Sequence, residues 1–397
     1  MKMRSFSDLN PEGKHVLMRV DFNSPIDPGS GRLLDDKRIR GHLESIRALE
    51  DAALVLLTHQ SRPGKKDFTT LEHHAKILED LLGRPVEYVD GIFDGFTRNT
   101  VRDAEPGDVL LLENSRFYSE EYIEMPPDEA SETHLVRRLA PLFDVYINDA
   151  FSAAHRSQPS LVGFPQKLTS YPGLLMEREL DVLSGVSGME RPRVFSLGGA
   201  KVSDAFKVVE NLVEDGEADR ILLSGVIGNV FMMADGTEVG EPTRDYVEDH
   251  GHTHLVERAE ELLSRYGDTI EIPTDVAVEV DGERAEVDVD ELPVDRMLWD
   301  IGVETIARYT EFLRKAETTV VNGPAGVYEE ELFTRGTIEV LRAASEARFS
   351  VAGGGDTAAA VNSFDIHGFD HVSSGGGAST AVLSGDELPA VDALEQK

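Results

Sequence analysis

Arginine and histidine recur in this chain where an apolar run has just ended. Arg19-Val20-Asp21-Phe22-Asn23 closes the first such run, and Lys37-Arg38-Ile39-Arg40 opens the helical stretch beyond it. His59-Gln60-Ser61-Arg62 follows the second run, Glu113-Asn114-Ser115-Arg116-Phe117 the third, and Asn148-Asp149-Ala150-Phe151 with His155-Arg156 the fourth. In open α/β sheets ligands sit beyond the carboxyl ends of the strands. Arg offers a planar, permanently charged fork that grips phosphate or carboxylate with two bonds. A single Arg is ordinarily a surface ion pair with a nearby acid. Basic groups at four successive strand ends point instead to a pocket for a small, multiply negative ligand.

Glycine takes over in the second half. Leu197-Gly198-Gly199-Ala200-Lys201, Gly353-Gly354-Gly355-Asp356-Thr357 and Gly375-Gly376-Gly377-Ala378-Ser379 each end a strand candidate. Glycine lets backbone approach a ligand closely, and the helix that follows offers free N–H groups to phosphate. Lys201 can reach phosphate oxygens as a point charge, and Asp356 can hold a magnesium ion that bridges phosphates. None of these loops reads GxxxxGK[ST], which disfavours the ordinary P-loop fold. Asn322-Gly323-Pro324-Ala325-Gly326-Val327-Tyr328-Glu329 is a rigid, strand-ending turn that presents Asn322 and Glu329. His250, His252 and His254 lie in a polar stretch with no supporting acid pattern and read as an incidental surface run. Trp299 reads as packing.

These loops need elements to hold them. Short β-branched or leucine-rich runs alternate with stretches of helical period, the pattern of parallel βαβ units. Strands are expected at 15–20, 54–58, 109–112 and 144–147, then at 193–197, 220–223, 319–321, 349–352 and 371–373. Helices are expected at 36–52, 71–82, 129–139, 204–214, 303–315 and 330–345. Between Pro165 and Pro192 the chain breaks at Tyr171-Pro172-Gly173 and then reads as one amphipathic helix over 174–186, a hinge or a plain connector. Alternation of Val with Glu or Asp over 279–295 predicts an exposed hairpin. The fold class is α/β, with two Rossmann-like domains, each a parallel sheet flanked by helices.

Composition bounds the function. With 397 residues and 40% hydrophobic content, the chain can build two or three packed domains. No run approaches the roughly 18 apolar residues of a membrane helix, and the first ten residues lack the apolar core of a signal peptide. There is no cysteine, which excludes disulfides, thiolate metal sites and a cysteine nucleophile. A cytoplasmic protein is expected. The net charge of -35 argues against nucleic-acid binding, which depends on clustered Lys and Arg. The acids are spread along the chain, and 11 Lys stand against 28 Arg. Many acids and few lysines over a normal core fit a cytoplasm of concentrated salt, where self-repulsion is screened.

Taken in order, these motifs resemble the phosphoglycerate kinase family, in a halophilic, archaeal-type variant. The substrate-side segments are Val20 to Asn23, the helix with Arg38, His59 to Arg62, Leu111 to Phe117 and Asn148 to Arg156. The nucleotide-side segments are Gly198 to Asp204, Asn322 to Glu329, Gly353 to Thr357 and Ser374 to Ser379, and the likeness spans about residues 15 to 385. It implies reversible phosphoryl transfer between ATP and the carboxylate of 3-phosphoglycerate, in glycolysis and gluconeogenesis. It also implies domains facing each other across a cleft: 1–170 for 3-phosphoglycerate, a hinge helix at 171–190, 191–380 for the nucleotide, and a tail at 381–397 folding back on the first. By this resemblance Asp21, Phe22, Asn23, Arg38, His59, Gln60, Ser61, Arg62, Arg116 and Arg156 bind the substrate. Gly199, Lys201, Asn322, Glu329 and the Gly353, Gly354, Gly355, Asp356, Thr357 loop bind the nucleotide, with Mg2+ on Asp356. Arg38, Lys201, Gly355, Gly376 and Gly377 neutralise the transferring group. The carboxylate is already ionised at neutral pH, so no general base is needed, and a monomer is expected.

Two segments depart from the family pattern. Where GGAKVxDK is usual, Gly198-Gly199-Ala200-Lys201-Val202-Ser203-Asp204 is followed by Ala205, and Lys207 lies on another helical face. Where a GGGM-like run is usual, Ser224-Gly225-Val226-Ile227-Gly228 stands. Two other readings of the residues are another carboxylate kinase, whose less charged acceptor would not need four basic strand ends, and a catalytically silent anion-binding protein. The charge yields a test independent of either. Thermal unfolding should shift to markedly lower temperature on dilution of potassium chloride from 1 M to 0.01 M, as the Debye length grows from about 3 Å to about 30 Å. A midpoint independent of salt between these limits would refute the adaptation to salt.

Overall fold

The computed structural model describes residues 3–27, 29–373 and 375–395. Ser374, from the last glycine segment, lies outside them. Among the described residues fifteen strands form three sheets. The first six are β1 (His15–Arg19), β2 (Ala53–Leu57), β3 (Glu87–Val89), β4 (Val109–Leu112), β5 (Val145–Asn148) and β6 (Thr169–Pro172). They make one parallel sheet in the order β3-β4-β2-β1-β5-β6. Then come β7 (Arg193–Leu197), β8 (Arg220–Leu223), β9 (Ile270–Glu271), β10 (Asp275–Val280), β11 (Glu283–Asp288), β12 (Asp300–Ile301), β13 (Thr318–Asn322), β14 (Phe349–Gly353) and β15 (His371–Val372). A second parallel sheet runs β15-β14-β13-β7-β8-β9, and a small antiparallel one runs β11-β10-β12.

The continuous apolar runs are strands covered on both faces. Val16, Met18, Leu54, Leu56, Leu111 and Ile147 pack into one core layer of the first sheet. Their neighbours Leu17, Val55, Leu57, Leu110, Leu112 and Tyr146 pack into the opposite layer. This is the two-residue alternation of a pleated strand, with helices closing each face. Under the second sheet, Val194, Leu222, Val321 and Ala352 meet Ile306, Tyr309 and Leu313 of the helix Val303–Arg314.

The chain divides into two compact units, residues 1–181 with 387–397, and residues 182–386. The division falls inside the helix Leu174–Gly185. The segment 381–386 groups with the second unit, and the chain joins the first from Glu387 onward. There Ala390 N–H donates to Ala154 O at 3.1 Å, and Leu394 is buried in the core layer of Tyr146.

Some elements differ from the sequence reading, each for a local reason. The helix expected over 36–52 is two short ones, Lys37–Gly41 and Leu43–Arg47. The break falls at His42, whose buried ring accepts from Asp21 N–H through Nε2 at 3.0 Å and meets Asp149 through Nδ1 at 2.7 Å. The helix expected over 129–139 is broken before His134, and that over 330–345 begins as a separate turn and runs from Arg335 to Ala344. Strands β3, β6, β9 and β12 escape the reading because they are short, and β6 is an edge strand ending on Pro172, which has no N–H to donate. The acidic hairpin spans Asp275–Asp288, earlier than expected, and β10 is buried as far as Val278. Its turn is Asp281-Gly282, with φ of 53° and 83°, the left-handed pair of a tight hairpin.

His74, buried on the helix Glu72–Leu82, bonds Gln60 Oε1 through Nε2 at 3.1 Å. Burial, with a smaller push from His73, drives its pKa down to about 4. A depressed histidine contributes stability that is full above the unfolded value near 6.5 and is lost as pH falls toward 4. The chain should therefore lose about 2 kcal/mol more between pH 7 and pH 5 than its His74→Leu variant. Urea unfolding of both at the two pH values measures this; parallel pH slopes would refute it.

Candidate active site

In the first sheet the winding reverses between β1 and β5, which opens a crevice at their carboxyl ends. Asp21, just past β1, is buried there. Its Oδ2 accepts from Arg38 Nη1 and from Ser152 Oγ, and Arg38 Nη1 also reaches Ser152 Oγ at 3.2 Å. Burial alone would raise the Asp21 pKa, but the Arg38 charge and the Ser152 hydrogen bond, with Arg19 adding to them, hold it well below the usual carboxylate range. Arg38 is thus aimed by a permanent anion. Asn23 Oδ1 accepts from Ser61 N–H at 2.8 Å, which ties the loop after β1 to the loop after β2.

A cavity of about 470 Å³ opens beside these loops, lined by Asn23, Ser61, Arg62, Arg116 and Arg156 together with Lys65, Asp67, Tyr122, Glu124 and Gln158. Arg116 Nη1 donates to Ser61 O at 2.7 Å, and its guanidinium lies 5.5 Å from the Tyr122 ring. Burial lowers its pKa, and Arg156 and Arg19 add to that. The two acids on the wall are engaged elsewhere: Asp67 accepts from Ser61 Oγ, and Glu124 from Gln158 Nε2. Among the described residues Arg62, Arg116 and Arg156 form no ion pair. Three guanidiniums without counterions, in a chain of net charge -35, make a cavity suited to an anion.

Phe22 and Gln60 do not line this cavity; both are fully buried. Gln60 Nε2 donates to Ser24 O, its Oε1 accepts from Ser24 N–H, and its N–H donates to Asn114 Oδ1, so it staples loops. His59 lies buried behind the loops. Its pKa is well below the usual range through burial, against the pull of Asp21 and reinforced by Arg19, Arg116 and Arg156. The sequence reading assigns Arg19 no role. It is 2% exposed, with Nε donating to Ser160 Oγ at 2.9 Å and Nη2 to His59 Nδ1 at 3.0 Å. Since Arg can only donate, His59 Nδ1 accepts and its proton sits on Nε2. The buried carboxylate of Glu121 accepts Ser160 N–H at 2.7 Å and faces the Arg19 charge; burial raises its pKa. The available signal was a charged residue inside the apolar run His15-Val16-Leu17-Met18-Arg19-Val20.

In the second sheet the winding reverses between β7 and β13. The loops there touch backbone to backbone: a Cβ on Gly323, at φ 93°, would stand 2.2 Å from Gly198 O, and one on Gly198 would stand 2.2 Å from Pro324 O. Only glycine fits either position. Beyond β14, Gly354 has φ 88° and the helix Gly355–Ser363 begins, with Asp356 in its first turn. Thr357 Oγ1 accepts from Gly323 N–H at 2.7 Å, and Asn322 Nδ2 lies 3.5 Å from Thr380 Oγ1, which draws three strand ends together. Gly376, at φ 49°, precedes the short helix Gly377–Leu383. Lys201 Nζ pairs with Asp356 Oδ2 at 3.3 Å, both side chains exposed.

A second cavity, also of about 470 Å³, is lined by Gly199, Glu329 and Asp356 of the expected set, with Ala200 beside them. It also takes in Gly225, Val226 and Tyr328, from segments the sequence reading marked, and Asn229, Thr243, Tyr246, Met297, Leu298 and Trp299, which sequence reasoning missed. Trp299 is therefore a cavity wall, stacked on Phe333 at 5.8 Å. The departing segment at Ser224 to Gly228 opens the helix Gly225–Ala234 on that same wall. His250 and His254 are spent locally, on Tyr246 O and Gly251 O. Among the described residues no three His, Cys, Asp or Glu cluster to hold a metal by themselves. Asp356, one exposed carboxylate at a helix start, fits an ion that takes its other ligands from phosphate and water.

Two parallel-sheet units, one with an arginine-lined anion cavity and one with glycine loops at helix starts, define an α/β phosphotransferase. The phosphoglycerate kinase family model matches residues 6–386. Phosphoglycerate kinase 1 of Methanosarcina acetivorans is 48% identical over 98% of this chain and 95% of its own. Phosphoglycerate kinase of Halobacterium salinarum is 48% identical over 99% of this chain and 100% of its own. The crystal structure of phosphoglycerate kinase from Pyrococcus horikoshii superposes with TM-score 0.92 at 40% identity, covering 99% of this chain and 98% of that one. The chain belongs to the phosphoglycerate kinase family.

The structure bears on the missing lysine. Ala205 is 4% exposed and faces the interior, while Lys207 is on the exposed side and pairs with Asp386 at 3.2 Å. Lys207→Ala should leave turnover within about five-fold of the parent, whereas Lys201→Ala should lower it about 100-fold, the scale of one donor lost from developing charge. Steady-state rates of the two variants decide; a greater loss at Lys207 would assign it the absent role.

Proposed function

We propose that the chain catalyses reversible phosphoryl transfer between ATP and the carboxylate of 3-phosphoglycerate, giving 1,3-bisphosphoglycerate and ADP, in glycolysis and gluconeogenesis. The observation that carries the assignment of sites is the trio Arg62, Arg116 and Arg156, which face one cavity without counterions. In this reading the trio holds the phosphate of 3-phosphoglycerate. Asn23, Ser61 and the Nε2–H of His59 orient the substrate body, and Arg38, fixed by Asp21, faces the carboxylate. Phe22 and Gln60 act by positioning the loops. The carboxylate attacks as the ion it already is, so the protein's work is placement and charge neutralisation.

On the donor side, the second cavity takes the nucleoside, with Glu329 on the ribose. The glycine loops at Gly199 and at Gly353 to Thr357, with Asn322 supporting them, take the phosphates. Asp356 holds Mg2+, which when bound screens phosphate charge. Lys201, freed from Asp356, moves its charge to the phosphoryl group together with the N–H groups of Gly355, Gly376 and Gly377. Residues 1–181 and 182–386 thereby divide acceptor from donor. We further propose a monomer adapted to concentrated salt and working in the cytoplasm, where both charged substrates are found. No helix among the described residues is long and apolar enough to cross a membrane.

A coupled assay with ATP, Mg2+ and 3-phosphoglycerate in high potassium chloride tests the reaction, and Asp356→Asn tests the division of labour. The variant should require at least about ten-fold more Mg-nucleotide, the scale of one charged contact. Its affinity for 3-phosphoglycerate, measured by calorimetry, should stay within about two-fold. Equal losses for both ligands would contradict the assignment.

A further inference from the structure

Asn229 lies on the helix Gly225–Ala234 and lines the cavity assigned above to the nucleoside. It is 8% exposed, and among the described residues its carboxamide has no hydrogen-bond partner. Its polar atoms are not sealed inside the protein, so the carboxamide is open to a ligand in the cavity. The neighbouring hydroxyl shows the contrast: Thr243 Oγ1 accepts Leu298 N–H at 3.1 Å and lies 3.6 Å from Met297 Sδ. Glu329 and Asp356 on the same wall are exposed, and Val226, Leu298, Trp299 and Pro324 are apolar or largely so. Asn229 is thus a donor and an acceptor held ready in a mainly apolar pocket, which the phenols of Tyr246 and Tyr328 also line.

We infer that Asn229 reads the edge of the nucleobase and selects adenine over guanine. The inference rests on the reading of this cavity as the nucleoside half of the ATP site. A carboxamide presents one acceptor beside one donor. Adenine offers the complement on either accessible edge, its 6-amino group as donor beside N1 or N7 as acceptor. Guanine presents two acceptors, O6 and N7, on one edge. On the other edge O6 and the ring N–H can meet a carboxamide, which leaves the 2-amino group facing the apolar wall unpaired. A carboxamide reader therefore satisfies adenine and strands part of guanine.

The test uses the full chain in high potassium chloride, with ATP and GTP as donors to 3-phosphoglycerate. The parent should prefer ATP by about ten-fold or more in kcat/KM. Asn229→Ala, and Asn229→Leu, which fills the space with an apolar group, should raise KM for ATP about ten-fold while changing that for GTP by no more than about three-fold. The thermal midpoint should hold, because among the described residues the carboxamide bonds none. Equal losses with ATP and GTP, or a lowered midpoint with the ATP preference intact, would overturn the inference and make Asn229 a structural residue. A parent chain that transfers phosphate from neither nucleotide would instead sink the proposed reaction itself.

Discussion

A parallel strand must be followed by a crossover that carries the chain back to its starting edge, and nearly every feature of this protein descends from that constraint. The crossover here is helical, so each strand's carboxyl end is followed by a loop and the start of a helix. Where the winding reverses, two such loops stand side by side with nothing packed between them. The chain builds this arrangement twice, between β1 and β5 and between β7 and β13. It then furnishes the two crevices with opposite materials.

In the first unit the material is charge. A protein of net charge -35 sets Arg62, Arg116 and Arg156 around one cavity and engages the nearby acids with neutral partners. Two carboxylates are buried beneath, Asp21 against Arg38 and Glu121 within reach of Arg19. Buried pairs of this kind contribute little net stability, since desolvation offsets attraction. Their effect is geometric. Arg38 is held where an anion can meet it, and Arg19 fixes the tautomer of His59.

In the second unit the material is backbone. Gly198, Gly323 and Gly354 let loops from separate strands touch, so that N–H groups instead of side chains crowd the sheet edge. Lys201 and Asp356 neutralise one another across this edge, each the other's partner at 3.3 Å. The cavity beside the loops is mainly apolar, fitted to a base more than to a charge.

Much of this was legible in the residues. Apolar runs buried on both faces declare parallel strands, and a basic or glycine-rich segment after each run declares the ligand edge, because both signals are local. The arginines of the first cavity and the three glycine loops were therefore readable one by one, and their order carried the family. Tertiary structure alone decided what depends on neighbours distant in sequence. It buried Gln60 among Ser24, His74 and Asn114, broke a helix at His42 to reach Asp21 and Asp149, and joined Arg19 to His59 and Ser160. It also assembled a cavity from Asn229, Thr243, Met297 and Trp299, which are ordinary helix and loop residues when read singly. Periodicity records which face of an element is apolar. It does not record which distant side chain will meet that face, and hydrogen bonds and cavities are made by such meetings.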